Sequence, residues 1–260
     1  MIEIRIAAQT SCLAQPFRKA LHTVAQLGCD GVQIDARQEL RPAEISDTGL
    51  RQLRKMLDDL NLRVGAVAFP TRRGLGSSED LQRRVEASID AMRFASKLGA
   101  RILICTLGGL AEPADDPQRA TLADVLATLS TQSHRLGVRL AAQAGDTSPQ
   151  TLADFLATLP EGTLGLDLHP GQLITHGISP QEFVSVVGQH VAHVHAVDAV
   201  SDLAGGGSTE VELGRGSVDF PALMGQLEEH SYRDWLTIER RYSNQPVEDV
   251  GNAVKFLRSL

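Results

Sequence analysis

The segment Gly137-Val138-Arg139-Leu140-Ala141-Ala142-Gln143 decides the architecture, because it joins two kinds of element. Upstream, 118–136 is an amphipathic stretch with apolar residues at helical spacing. Gly137 follows it, at the position where a helix ends on a residue able to turn left-handed. Val138 to Gln143 is a short apolar run of strand length. Ser148-Pro149 then opens another helix, the serine as cap and the proline in the first helical position.

The same unit repeats outward in both directions. Strands are expected at 2–8, 31–35, 62–68, 101–105, 138–143, 164–168, 191–197 and 235–239. Helices are expected at 16–27, 47–60, 78–98, 118–136, 149–158, 180–187, 219–230 and 246–258. Gly28 and Gly99 stand where Gly137 does, Ser179-Pro180 repeats Ser148-Pro149, and Ser78-Glu79-Asp80 puts acids at a helix start, where the macrodipole favours them. Eight repeats in one unbroken series favour a parallel sheet closed into a single (β/α)8 barrel. An open doubly wound sheet would carry a glycine-rich loop after its first strand; here the segment is Ala7-Ala8-Gln9-Thr10-Ser11. The length of 260 residues and the absence of a low-complexity linker predict one domain over 1–260.

The net charge of −7, with basic residues spread along the chain, argues against nucleic acid or an anionic membrane as partner. Cys12, Cys29 and Cys105 are odd in number and form no CxxC pair, so a reducing compartment is expected. Met1-Ile2-Glu3-Ile4-Arg5-Ile6 alternates like a strand and lacks the pattern of a secretory leader, which predicts a cytoplasmic protein. A small-molecule substrate is the expected partner, and a homo-oligomer is left open by the sequence.

Alternation along the later strands sorts their polar residues. Leu166 and Leu168 suit the helix side, which turns Asp167 and His169 inward; His193 and His195 share the inward face; Leu236 and Ile238 face the helices and Glu239 faces in; Gln143 is inward. A single inward polar residue is often satisfied by a neighbour. Gln143, His169, His195 and Glu239 in matching phase point instead to a site at the C-terminal mouth, where barrels place their chemistry. Two imidazoles and a carboxylate are metal-ligand chemistry. Asp167, Gln172, His193 and Asp198 are placed around the four, as supports or substrate contacts. Cys105 reads as a buried thiol, and His22, His134, His176, His190 and His230 as ordinary surface or capping residues. Gly205-Gly206-Gly207 and Gly214-Arg215-Gly216-Ser217 suggest a mobile lid or a phosphate loop.

These segments carry a resemblance over nearly the whole chain. Leu140-Ala141-Ala142-Gln143, Leu164 through Gln172, His193-Val194-His195-Ala196-Val197-Asp198, Leu213 through Pro221, and Tyr232 through Glu239 resemble the xylose isomerase-like TIM barrels of the sugar phosphate isomerase/epimerase family. The resemblance implies one divalent metal held by Glu, Asp, His and Glu from strands five to eight, with the two Glu residues moving the substrate proton. His195 and Glu239 match that pattern. Gln143 stands at the first Glu position, His169 at the Asp position, and Gln172 at a position usually His. With one carboxylate in place of three, the expected ion is Zn²⁺ or another transition metal rather than Mg²⁺. Glu239 and His195 are then the expected catalytic residues, and Gln143 cannot act as a base. The function expected is a metal-dependent isomerase, epimerase or related lyase acting on a sugar or sugar-like keto substrate; the alternative is a degenerate barrel that binds a small molecule without turnover. The DNA-repair endonucleases of the same superfamily fit poorly, because they need a multi-metal cluster with many more ligands.

Overall fold

Alternation along each strand divides the side chains between two layers, and the barrel is where both layers are dry. The computed structural model describes residues 4–110, 116–202 and 207–260. Its strands are β1 (Arg5–Gln9), β2 (Gly31–Asp35), β3 (Arg63–Ala68), β4 (Ile102–Thr106), β5 (Arg139–Gln143), β6 (Gly165–Leu168), β7 (Val191–Ala196), β8 (Asp198–Asp202), β9 (Gly207–Val211) and β10 (Trp235–Ile238). All except β8 and β9 close into one parallel barrel, in which β10 lies between β7 and β1. The helices are α1 (Phe17–Gln26), α2 (Asp47–Asp59), α3 (Leu81–Lys97), α4 (Pro117–Leu136), α5 (Pro149–Ala157), α6 (Pro170–Thr175), α7 (Pro180–Val187), α8 (Phe220–Glu229) and α9 (Pro246–Arg258). The (β/α)8 barrel expected from the repeats is the fold. No helix of the described residues is long and apolar enough to cross a membrane.

The junction residues act as their types require. Gly137 turns left-handed at φ 65°. Ser148 Oγ accepts from Thr151 N at 3.1 Å, and Ser179 Oγ from Glu182 N at 3.3 Å. Three local expectations change. Helix α3 starts at Leu81 rather than 78, because Asp80 takes a left-handed conformation at φ 50° and makes no side-chain cap bond. Helix α6 was not expected; Pro170 stops β6 after Leu168 and starts a short turn of helix that His169 caps. The stretch after β7, expected as a lid or phosphate loop, contains the antiparallel pair β8–β9. Gly205 and Gly206 lie outside the described residues.

Asp198 organises that excursion from within. Its buried carboxylate accepts from Ala199 N at 2.9 Å and Val218 N at 3.1 Å through Oδ1, and from Gly214 N at 3.0 Å and Gly216 N at 2.8 Å through Oδ2. A Cβ at Gly216 would collide with this carboxylate. The glycine loop therefore spends its N–H groups on an internal anion and has none of these to offer a phosphate. Asp198, considered as a support or substrate contact, is fully engaged as the tether of the loop.

At the opposite end, Trp235 closes the barrel floor. A Cβ added at Gly65 would stand 2.9 Å from its ring and one at Gly31 2.7 Å, so both positions need glycine for packing. The Arg5 guanidinium lies 5.1 Å from the Trp235 ring centroid.

Two outcomes follow for stability. Gly65→Ala overpacks the floor and should cost about 1–3 kcal/mol in urea unfolding, with Trp235→Leu in the same chain recovering part of it. Asp198→Ala strands four backbone N–H groups and should cost about 3–5 kcal/mol. In native-state hydrogen exchange the loss should appear first at Gly214, Gly216 and Val218; uniform protection across the excursion would show that Asp198 does not hold it.

Candidate functional site at the barrel mouth

Strand register brings the inward polar residues of three neighbouring strands together. Asp167 pairs with His193 across β6 and β7, and His195 pairs with Thr237 across β7 and β10. Asp167 lies buried at the centre. Its Oδ1 is 2.7 Å from His193 Nδ1, its Oδ2 is 2.9 Å from His195 Nδ1, and Gln143 Nε2 donates to Oδ2 at 2.8 Å. His193 Nε2 lies 2.8 Å from Thr237 Oγ1. An ionised carboxylate only accepts, so each imidazole presents an Nδ1–H to it. Burial pushes the Asp167 carboxyl up, but the charge of His195 and the bonds from His193 and His195 outweigh it and hold the group well below the usual carboxylate range. The two histidines separate: burial dominates at His193 and lowers it, whereas Asp167 and Glu239 overcome burial at His195 and raise it.

With Nδ1 committed to Asp167, His195 directs Nε2 away from it. That nitrogen is buried, has no hydrogen-bond partner among the described residues, and stands 3.6 Å from Glu239 Oε2. In its neutral form His195 turns an Nε2 lone pair toward the ionised Glu239, an arrangement that either a proton on Nε2 or a bound cation relieves. Ligand atoms on one tetrahedral ion with bonds of about 2.0–2.1 Å stand roughly 3.3–3.4 Å apart, close to this separation.

Glu239 follows β10 directly and is buried. Its Oε2 is 3.5 Å from His169 Nε2, and its Oε1 meets Arg241 Nε. Burial raises its carboxyl, but the His169 hydrogen bond and the charges of His195, His169 and Arg241 hold it well below the usual range.

His169 caps α6: its Nδ1 accepts from Gln172 N at 3.1 Å. A neutral ring that accepts at Nδ1 carries its proton on Nε2, which faces Glu239. His169 therefore meets Glu239 as a donor, and this tautomer has no lone pair for a metal. The ligand role expected from sequence would require Nε2 to give up that proton or Nδ1 to release Gln172 N, and the cap that sets this condition exists because Pro170 starts α6. Gln172, at a position usually His, enters the site through its backbone N–H.

Gln143, His195, Glu239 and Arg241 line a cavity of about 500 Å³ together with Gln9 and Gln33. Asp167 and His193 lie behind them. Asp167, His193 and His195 also bring ligand atoms within 4.8 Å of one another and form a possible metal site. However, Asp167 there faces two N–H donors, so the trio orients His195 in the manner of a carboxylate behind a ligating histidine. Cys12 and Cys105 reach the same cavity; burial pushes the Cys12 thiol up to about 12, which removes it as a nucleophile near neutral pH. Arg241 was missed from sequence. The available signal was the basic pair Arg240-Arg241 directly after a strand-end acid. Arg240 pairs instead with Glu210 at 2.7 Å and Asp249 at 2.8 Å, which ties β9 and α9 to the rim.

No curated protein matches the chain. Among solved structures, a xylose isomerase domain protein from Planctomyces limnophilus superposes with a TM-score of 0.84 at 21% identity, over 98% of this chain and 96% of that one. A D-allulose 3-epimerase from Methylomonas sp. gives 0.77 at 17% identity, over 100% and 98%. A xylose isomerase-like TIM barrel protein from Mycobacterium smegmatis, solved in complex with magnesium, gives 0.79 at 17% identity, over 98% and 96%. At these identities the likeness is one of fold. The model of the xylose isomerase-like TIM barrel family, however, matches residues 21–260 of the sequence itself, and the chain belongs to that family.

Proposed function

We propose that the chain is a metal-dependent isomerase or epimerase, or a related lyase, that moves a proton on a sugar or sugar-like keto substrate at the barrel mouth. The observation that carries this is the buried, partnerless His195 Nε2 facing the Glu239 carboxylate at 3.6 Å. His195, Glu239 and the Gln143 carbonyl would hold a divalent cation, which would polarise a substrate carbonyl or hydroxyl. Asp167 fixes the tautomer of His195 and keeps its Nε2 free. Glu239 would accept the substrate proton, with His169 Nε2 3.5 Å behind its Oε2 to hold the carboxylate. Gln143 supplies no second base, so one-base transfer or elimination suits the site better than two-base epimerisation. The sequence favours Zn²⁺ or another transition ion; with His169 as a donor, the remaining set of one imidazole and oxygens would also accept Mg²⁺. The magnesium complex of one neighbour and the D-allulose epimerase activity named for another support the class of chemistry.

One observation favours the second reading, a barrel that binds a small molecule without turnover. The Arg241 guanidinium already neutralises Glu239 from the exposed side. A panel of ketoses that includes D-allulose, assayed with Mg²⁺, Mn²⁺ or Zn²⁺, separates the two: turnover supports the enzyme, and cation-independent binding without turnover supports the binder.

Glu239→Gln keeps the shape of the side chain while removing its charge and its basicity. It should lower turnover by about a hundred- to ten-thousand-fold and weaken Mn²⁺ binding in equilibrium dialysis. Glu228→Gln, on the exposed side of α8, is the control. Unchanged Mn²⁺ binding and unchanged turnover in Glu239→Gln would remove the site from this position.

Gln143→Glu is a sharper probe than a restored family residue would suggest, because the amide donates to Asp167 at 2.8 Å. The introduced carboxyl can make that bond only when protonated, so its folded-state pKa lies above the unfolded value. The bond then contributes stability below the unfolded pKa and loses it as pH rises through the folded pKa. Unfolding free energy of the variant, compared with the natural chain in metal-free buffer from about pH 4 to pH 8, should fall progressively behind. A constant difference would mean that Gln143 does not donate to Asp167.

A further inference from the structure

The residues that lead into β4, β5, β7 and β10 border a second cavity, of about 1170 Å³, on the face opposite the mouth. Arg139, the first residue of β5, is inward-facing and sits at its edge. Gly165 on the adjacent β6 makes room for it: a Cβ there would stand 2.9 Å from Arg139 Nε and 2.5 Å from Ala192 Cβ. The side chain thus crosses β6 toward β7. Its Nε is buried and has no acceptor among the described residues.

The charges on this face do not cancel. Arg5 pairs with Asp234 at 3.2 Å and Arg233 with Glu228 at 3.6 Å. Arg139 and its neighbour Arg101 form no ion pair among the described residues, and Glu161 is the one further acid in the lining. Burial, and next the Arg139 charge, push His190 below its ordinary value, which places the guanidinium near that ring. Arg139, which feels the charge of Asp234, and the exposed Arg101 outnumber Glu161 beside a roomy cavity, a local reversal of sign in a chain of net charge −7. Nε is shut off from the cavity, so a ligand there would meet the terminal guanidinium nitrogens, whose fork matches the oxygens of a tetrahedral oxyanion two at a time.

We propose that this cavity binds a small phosphate-bearing ligand, held by Arg139 and Arg101 on the N-terminal face of the barrel. Two cations match a dianion. The proposal is independent of the chemistry at the mouth, because none of its residues contacts Asp167, His195 or Glu239.

The test is calorimetric titration of the full chain with inorganic phosphate at low ionic strength. Saturable one-to-one binding is expected. Arg139→Met and Arg101→Met should each weaken it by roughly tenfold or more, whereas Arg241→Met at the mouth should leave it unchanged. The unaltered protein gives a check that needs no variant: phosphate should protect Arg139 from phenylglyoxal, read by peptide mass. Absence of saturable binding, affinity retained in Arg139→Met, affinity lost in Arg241→Met, or Arg139 labelled equally with and without phosphate would each overturn the proposal.

Discussion

Asp167 is an anion buried in the barrel interior, and the mouth is arranged around the cost of keeping it there. Removing a carboxylate from water costs several kcal/mol unless donors replace the lost solvation. Here the donors are His193, His195 and Gln143, one from β5 and two from β7. Each gives up some freedom in return. His195 is locked with Nε2 outward, His193 is braced against Thr237, and Gln143 turns its amide inward and leaves its carbonyl to the cavity. One buried charge thus fixes the tautomers, and through them the chemistry, of the residues that face a ligand.

The same logic accounts for the position of Glu239. Its burial is tolerated because His169 and Arg241 approach from two sides. The difference lies in what each partner can do. Asp167 is enclosed by donors whose only task is to hold it, whereas Glu239 faces an imidazole lone pair and a cavity. A buried acceptor opposite another acceptor is stable only with a proton or a cation between them, which makes this the reactive edge of the network.

The two ends of the barrel solve opposite packing problems. At the floor, Trp235 is large enough to fill the interior only because Gly31 and Gly65 have no side chains. Beside it, Gly165 leaves a lane that a charged side chain occupies instead. Glycine on these strands is a means of distributing interior volume, and the identity of the facing residue decides whether the volume becomes core or cavity.

The repeat of strand, cap and helix, and the inward phase of Asp167, His193, His195 and Glu239, were fixed by local rules. Hydrophobic period, a capping serine before proline, and a glycine after each helix depend only on near neighbours in sequence, so the barrel and the strands that carry the site were legible. The pairing of those residues was not. Asp198 gave no sign that its partners would be Gly214 and Gly216, because a carboxylate that gathers distant backbone N–H groups has no local pattern. The β8–β9 pair was hidden for the same reason, and Arg241 reads like any surface base until its chain turn carries it back over Glu239. His169 is the clearest case. Its type and spacing suit a ligand, but Pro170 ends the strand and starts a helix whose free N–H takes the imidazole lone pair. Residue type and phase were therefore properties of the sequence, whereas protonation and partner were decided by the tertiary structure, because both depend on which groups share the same few ångströms of dry space.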